Sequence, residues 1–278
     1  MNSKFPTPYS DVNEILNLLL ARVKEILGNQ LVGMYLYGSL STGDFNPETS
    51  DIDFLIITTS TLSGKAIGEL ESMHRRFWLS GLKWASKLEG SYISKRDIRR
   101  HDDRSAPCPA VNEGQFYLDK RGSDWIIQRH VIREQGIMLA GPDPKTLIDP
   151  VSPDDIRHAV KGVLQEWWFP MLKDPSWLKN PGREYHTFAV LTMCRALFAW
   201  EHGKIVSKPV AARWAQNELG NQWHKLIEKA VLSQNGQHAD FLNETLDFIR
   251  FTCEQILEFK KMTNRPEDSK NAEDPSRY

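Results

Sequence analysis

Two aspartates, Asp51 and Asp53, stand in "TSDIDFLII" where an apolar run begins. Side chains in a strand alternate faces, so this pair shares one face while Ile52 and Phe54 take the other. Like charges so placed repel, and one carboxyl must hold its proton unless a cation stands between them. Mg²⁺ meets that need, because it takes a few carboxylate oxygens and completes its octahedron with water and substrate phosphates. Ser39, twelve positions before Asp51, follows Gly38 at the end of another apolar run. A glycine at a strand end followed by a hydroxyl lets backbone N–H groups come close to phosphate oxygens. Metal and phosphate would then meet between two strands, which points to phosphoryl or nucleotidyl transfer.

Periodicity supplies the elements that must hold these groups. "SDVNEILNLLLARVKEIL" reads as an amphipathic helix, with apolar residues from Val12 to Leu27 on one face and acids among them. It lacks the basic start and unbroken apolar run of a signal peptide. "LVGMYLY", residues 31–37, reads as a strand, as do residues 51–57 and "KLEGSYIS", residues 87–94; residues 65–79 read as a helix. Residues 95–124, rich in charge and proline, read as loop apart from a short apolar "QFYL", and have no assigned role. "WIIQRHVIREQGIML" is either helix or strand, and the proline-rich "AGPDPKTLIDPVSPDD" is a linker with a boundary near Pro150.

Beyond it the helical period alone remains, in segments near 154–172, 184–203, 207–218, 221–234 and 238–262. The expected architecture is α+β: a mixed sheet with flanking helices over residues 1–150, an α-helical bundle over 151–264, and a disordered tail over 265–278.

Bulk properties remove several function classes. Lys and Arg total 35 against 36 for Asp and Glu, a net charge of −1 that offers no field for a polyanion and argues against nucleic acid as a partner. Cys108, Cys194 and Cys253 are unpaired by spacing, which suits a reducing compartment and no zinc site. No apolar run is long enough to span a membrane. The histidines are not at metal spacing, and neither a P-loop nor a Gly-x-Ser-x-Gly elbow is present.

Two cations in the second half invite attention. Arg195 lies mid-helix among apolar neighbours, and Lys208 falls at a helix start, where the dipole disfavours it. Either Arg195 pairs with an internal acid and Lys208 is solvated, or both await a polyanionic ligand.

"YGSLSTGDFNPETSDIDFLII" resembles the signature of the polymerase β nucleotidyltransferase superfamily, a Gly-Ser turn followed by Asp-x-Asp. "LTMCRALFAWEHGKIVSKPVAARWA", residues 191–215, resembles the helical domain of the aminoglycoside (3'')(9) adenylyltransferases. The resemblance implies that Asp51 and Asp53 hold Mg²⁺ beside ATP, the co-substrate, with Gly38, Ser39 and Ser50 at the nucleotide and Arg195 and Lys208 on its phosphates. It also implies that Glu89, on the adjacent strand, is the general base that takes the acceptor hydroxyl's proton.

The acceptor would be a cationic aminoglycoside or aminocyclitol of the streptomycin or spectinomycin type, met by acids and aromatic faces such as Glu184, Tyr185 and Trp168. At Tyr185 the chain departs from the family, which carries an aspartate there; Glu184 is adjacent. For the Trp167–Trp168 pair, helical core packing is the competing reading. The enzyme is expected to act as a monomer in the cytoplasm. A protein or tRNA acceptor, or an ATP-sensing regulatory module, are the competing functions.

Overall fold

The structure, a computed structural model, describes residues 6–102, 104–179, 185–233 and 241–257. Glu184 and the expected tail at 265–278 lie outside the described residues.

The first half is built on a six-stranded sheet in the order β5-β4-β3-β2-β1-β6. Its strands are β1 (Leu31–Leu36), β2 (Ile52–Thr58), β3 (Leu88–Ser94), β4 (Cys108–Asn112), β5 (Gln115–Asp119) and β6 (Ile137–Ala140). Only β2 and β3 run parallel, with Asp53 opposite Glu89 and Phe54 opposite Gly90. The helix α1 (Ser10–Leu27) precedes β1, the short α2 (Gly38–Thr42) follows it, and α3 (Gly64–Leu79) makes the crossover between the parallel pair.

Alternation divides the strands between two cores. Ile52, Phe54, Ile56, Leu88 and Tyr92 pack with residues of α1 and α3 in one apolar cluster. Tyr35, Leu55, Ile57 and Ile93 face the other way, against Trp125 and Ile132 and the connecting residues Leu147 and Ile148. Trp125 and Ile132 belong to α5 (Asp124–Gln135), so "WIIQRHVIREQ" is helix and "IMLA" is strand.

The 95–124 segment departs from the loop expected of it. It contains α4 (Lys95–Arg99) and the hairpin β4–β5, closed by Glu113 and Gly114, both at positive φ (48° and 74°). Two successive positive φ values make the tight turn that matches strand twist. Pro109 is tolerated because β3 pairs β4 only at Val111 and Ala110, beyond the proline.

The second half is helical: α6 (Pro153–Val163), α7 (Phe169–Met171), α8 (Tyr185–His202), α9 (Lys208–Glu218), α10 (Asn221–Ser233) and α11 (Leu242–Leu257). Ser152 starts α6 with a reciprocal capping box to Asp155. A π-helical turn, Leu164–Trp168, follows α6 and shifts the facing of the residues after it. One apolar cluster from Ile156 to Leu257 fills this bundle around the buried face of α8.

Candidate active site

The site forms where β1 ends and β2 and β3 begin. Gly38 takes φ +61°, and a Cβ there would strike the Asp53 carboxylate at Oδ2. Only glycine lets the turn lie against that side chain. The Tyr37 amide donates to the Asp53 carbonyl at 3.1 Å, which ties the turn to β2. Ser39 lies in the first turn of α2 and is half-buried. Ser50 closes the loop before β2, its hydroxyl accepting from the Asn46 amide at 3.0 Å.

Three carboxylates meet here. Asp51 precedes β2, half-buried, with Lys87 Nζ at 3.2 Å. Asp53 stands well above the usual carboxylate range, first through burial and then through the charges of Glu89 and Asp51. Glu89 is pushed up to about 7 by burial, with Asp51 and Glu113 adding to it. Burial, Asp53 and Glu89 also raise the Tyr37 phenol far above its ordinary value.

The opposing charge arrives from the helical half. Lys208 is the first residue of α9, its Nζ 4.9 Å from the centre of the Phe188 ring. Burial and then Arg195 lower its pKa, while Asp53, Asp51 and Glu89 work in the other direction. Arg195, midway along α8, is likewise lowered by burial and opposed by Asp53. Among the described residues neither cation forms an ion pair within 4.0 Å. Of the two readings open for these cations, an internal acid partner for Arg195 is therefore absent among those residues. A helix start and a second cation make Lys208 a poor place for positive charge unless an anion comes to it.

The structure thus brings together Gly38, Ser39, Asp51, Asp53, Glu89, Arg195 and Lys208. The expected aromatic contacts divide. Trp168 is only 2% exposed and is a core residue, in the buried row of Ile156, Val160 and Leu164, while Trp167 faces out at 50%. Trp168 cannot touch an acceptor; it backs Trp177 and Phe188, at ring separations of 6.3 and 6.0 Å. Tyr185, half-buried at the start of α8, lies 4.0 Å from the Trp177 ring, in the same aromatic group that reaches Lys208 through Phe188.

Sequence reading passed over Trp177 and Phe188. The helical spacing of Phe188 to Tyr185 was the available signal.

Among the described residues no group of three His, Cys, Asp or Glu side chains makes a metal cage, so a metal here would take part of its shell from water and substrate. Two hard oxygen donors with phosphates nearby suit Mg²⁺, which keeps water and substrate oxygens for the rest of its shell.

A mixed sheet bearing a Gly-Ser turn against an Asp-x-Asp strand, with a helical bundle turning cations toward it, defines a nucleotidyltransferase. Residues 16–92 match the nucleotidyltransferase domain, and residues 146–257 match the aminoglycoside adenylyltransferase C-terminal domain. An aminoglycoside (3'')(9) adenylyltransferase of Escherichia coli is 29% identical over 256 residues, covering 86% of this chain and 90% of its own. A spectinomycin 9-adenylyltransferase of Staphylococcus aureus is 27% identical over 233 residues, covering 78% and 83%. The crystal structure of spectinomycin adenyltransferase AAD(9) from Enterococcus faecialis with ATP and spectinomycin shares the fold at a TM-score of 0.67. Its identity is 19%, and the match covers 87% of this chain and 98% of that one. Its two domain matches and these relatives make the chain an aminoglycoside adenylyltransferase-like nucleotidyltransferase.

Proposed function

We propose that the protein transfers AMP from ATP to a hydroxyl of an aminoglycoside or aminocyclitol of the streptomycin or spectinomycin type, releasing pyrophosphate. The observation that carries this is the β2–β3 register, which sets Glu89 directly beside Asp53 on the face that Arg195 and Lys208 approach. The names of the relatives, and the presence of ATP and spectinomycin in the Enterococcus faecialis structure, support the choice of acceptor and co-substrate.

In this reading Glu89, whose pKa of about 7 suits a base at neutral pH, takes the proton of the acceptor hydroxyl. The acceptor oxygen forms its bond to the α-phosphorus as the bond from that phosphorus to the bridging oxygen breaks, and pyrophosphate leaves. Arg195 and Lys208 offset the charge of the departing phosphates, and Gly38 and Ser39 seat the nucleotide with Ser50 nearby. Asp51 and Asp53 would hold Mg²⁺, which when bound supplies Lewis-acid charge neutralisation at the phosphates.

Tyr185 is assigned to the acceptor, with Glu184, outside the described residues, as the acid beside it in sequence. The chain divides near Pro150 into a nucleotidyltransferase half and a closing helical half, supported by the separation of the apolar clusters between Ile148 and Ile156. A cytoplasmic monomer without nucleic-acid partners completes the proposal, supported by the net charge of −1 and three free buried thiols.

Incubation with ATP, Mg²⁺ and streptomycin, spectinomycin or kanamycin tests it through pyrophosphate release. Release with a streptomycin- or spectinomycin-type acceptor is expected. Release only with RNA or a protein acceptor would move the function to that class.

A further inference from the structure

A cavity of about 170 Å³ lies behind Glu89, between the sheet and the first turn of α5. Registry explains its lining. Ser91 follows Glu89 on the same face of β3, Ser91 is opposite Ala110, Ala110 is opposite Tyr117, and Cys108 is opposite Asp119. Glu89, Ser91, Tyr117 and Asp119 therefore share one face of the sheet, and Asp124 closes the wall from the start of α5.

The lining holds three carboxylates and no Lys, Arg or His. Burial holds the Asp119 and Asp124 carboxyls above their ordinary range; Asp119 and Glu166 add to the rise at Asp124. Arg121 and a Trp125 hydrogen bond oppose the rise at Asp119, but the Arg121 guanidinium donates to the Ala106 carbonyl at 3.0 Å. Among the described residues, Asp119 and Asp124 form no ion pair within 4.0 Å.

A second feature is independent of charge. Ser91 is only 7% exposed and lines the cavity, yet its hydroxyl has no hydrogen-bond partner among the described residues. That hydroxyl opens onto the cavity, where it is free to bond a ligand.

The wall is held from the helical half. Glu166, in the π turn, accepts from the Ser123 hydroxyl at 2.6 Å and from its amide at 3.1 Å. Gly162 permits this approach, since a Cβ there would strike the Ser123 hydroxyl.

We propose that this cavity is the cation subsite of the acceptor: an ammonium or guanidinium group enters between Asp119 and Asp124 and donates to them and to Ser91. The rest of that molecule then passes Glu89, which brings a hydroxyl to the base. The assignment rests on the transferase reading above and adds the residues that select a charged acceptor.

The double variant Asp119→Asn/Asp124→Asn keeps oxygen acceptors for Trp125 and Gln128 while removing both charges. Calorimetric titration with streptomycin and with spectinomycin is expected to show affinity at least about tenfold weaker than wild type for the acceptor that binds. Its acceptor KM rises in parallel, while the KM for ATP holds within about twofold. Ser91→Ala, a smaller change, is expected to weaken acceptor binding about threefold. Unchanged affinity in both variants overturns the subsite. Wild-type binding without pyrophosphate release overturns the transferase reading, and the variants still decide the subsite. No binding of either compound by wild type overturns both.

Discussion

The two faces of β2 and β3 are made by the same residues in alternation, yet they do opposite work. One face presents Ile52, Phe54, Ile56, Leu88 and Tyr92, all at most 2% exposed and packed with α1 and α3. The other carries Asp53, Glu89 and Ser91 toward the start of the strands and turns apolar at Leu55, Ile57 and Ile93. The apolar face stabilises the sheet well enough to hold like charges side by side at the end of the other. The candidate site is thus confined to one face and one end of these strands, and the rest of each strand packs in the two cores.

Substitutions on either face should separate the two roles. Glu89→Gln is expected to lower kcat by about 10²–10⁴-fold while ATP binding is kept, as measured by pyrophosphate release and calorimetry. Its pH–rate profile should lose the rise with pH that deprotonation of a Glu89 base would give wild type. A variant profile identical to wild type would assign the base elsewhere.

Phe54→Ala, one residue from Asp53 but on the opposite face, should cost about 3–5 kcal/mol of stability. Its ring stacks 6.0 Å from His74 and meets Tyr92 edge-on at 6.2 Å, contacts that alanine abolishes. Below its lowered melting temperature, the KM for ATP should stay near wild type. A variant that melts normally but loses activity would reverse the division of labour.

The charged face should also leave a pH signature in the ligand-free protein. Glu89 has a higher pKa folded, about 7, than its ordinary 4.5, so the folded state holds its proton more tightly. Its contribution to stability is fully present below about pH 4.5 and lost as pH rises through about 7, on the order of 1–3 kcal/mol. Melting temperatures between pH 5 and pH 8 should fall more steeply for wild type than for Glu89→Gln. Parallel curves would mean that Glu89 is not strained by its neighbours.

The smallest effect is expected at Lys208, which reaches the charged face from α9. Lys208→Ala should raise the KM for ATP about tenfold, roughly 1.4 kcal/mol. Because it also relieves a desolvated cation, melting of the ligand-free protein should change little. An unchanged KM for ATP would leave Lys208 a packing residue over Phe188.

The β2 and β3 strands were legible within a residue because apolar alternation and turn residues bracket them. Asp51 and Asp53 stood out as charges in that pattern, whereas Glu89 was picked out only through the family resemblance. The hairpin β4–β5 did not, because Pro109 reads as a breaker and the flanking charges hide a four-residue turn, Asn112 to Gln115. Asp119 and Asp124 were hidden with it. Trp168 continues the buried i+4 row of Ile156, Val160 and Leu164, so core packing, the competing reading for the Trp pair, was the one the helical spacing favoured. Arg195 and Lys208 were readable as cations out of place, while their approach to Asp53 depends on how the bundle packs against the sheet, which no local pattern encodes.

The central claim is that Asp53 belongs to a Mg²⁺-dependent nucleotide site, and linkage between metal and ATP tests it most directly. Calorimetric titrations with ATP, with and without Mg²⁺, on wild type and Asp53→Asn give a coupling between the metal and this carboxylate. The account predicts that Mg²⁺ strengthens ATP binding at least about tenfold more in wild type than in the variant, with the variant melting no lower. Equal Mg²⁺ dependence in the two proteins would contradict it.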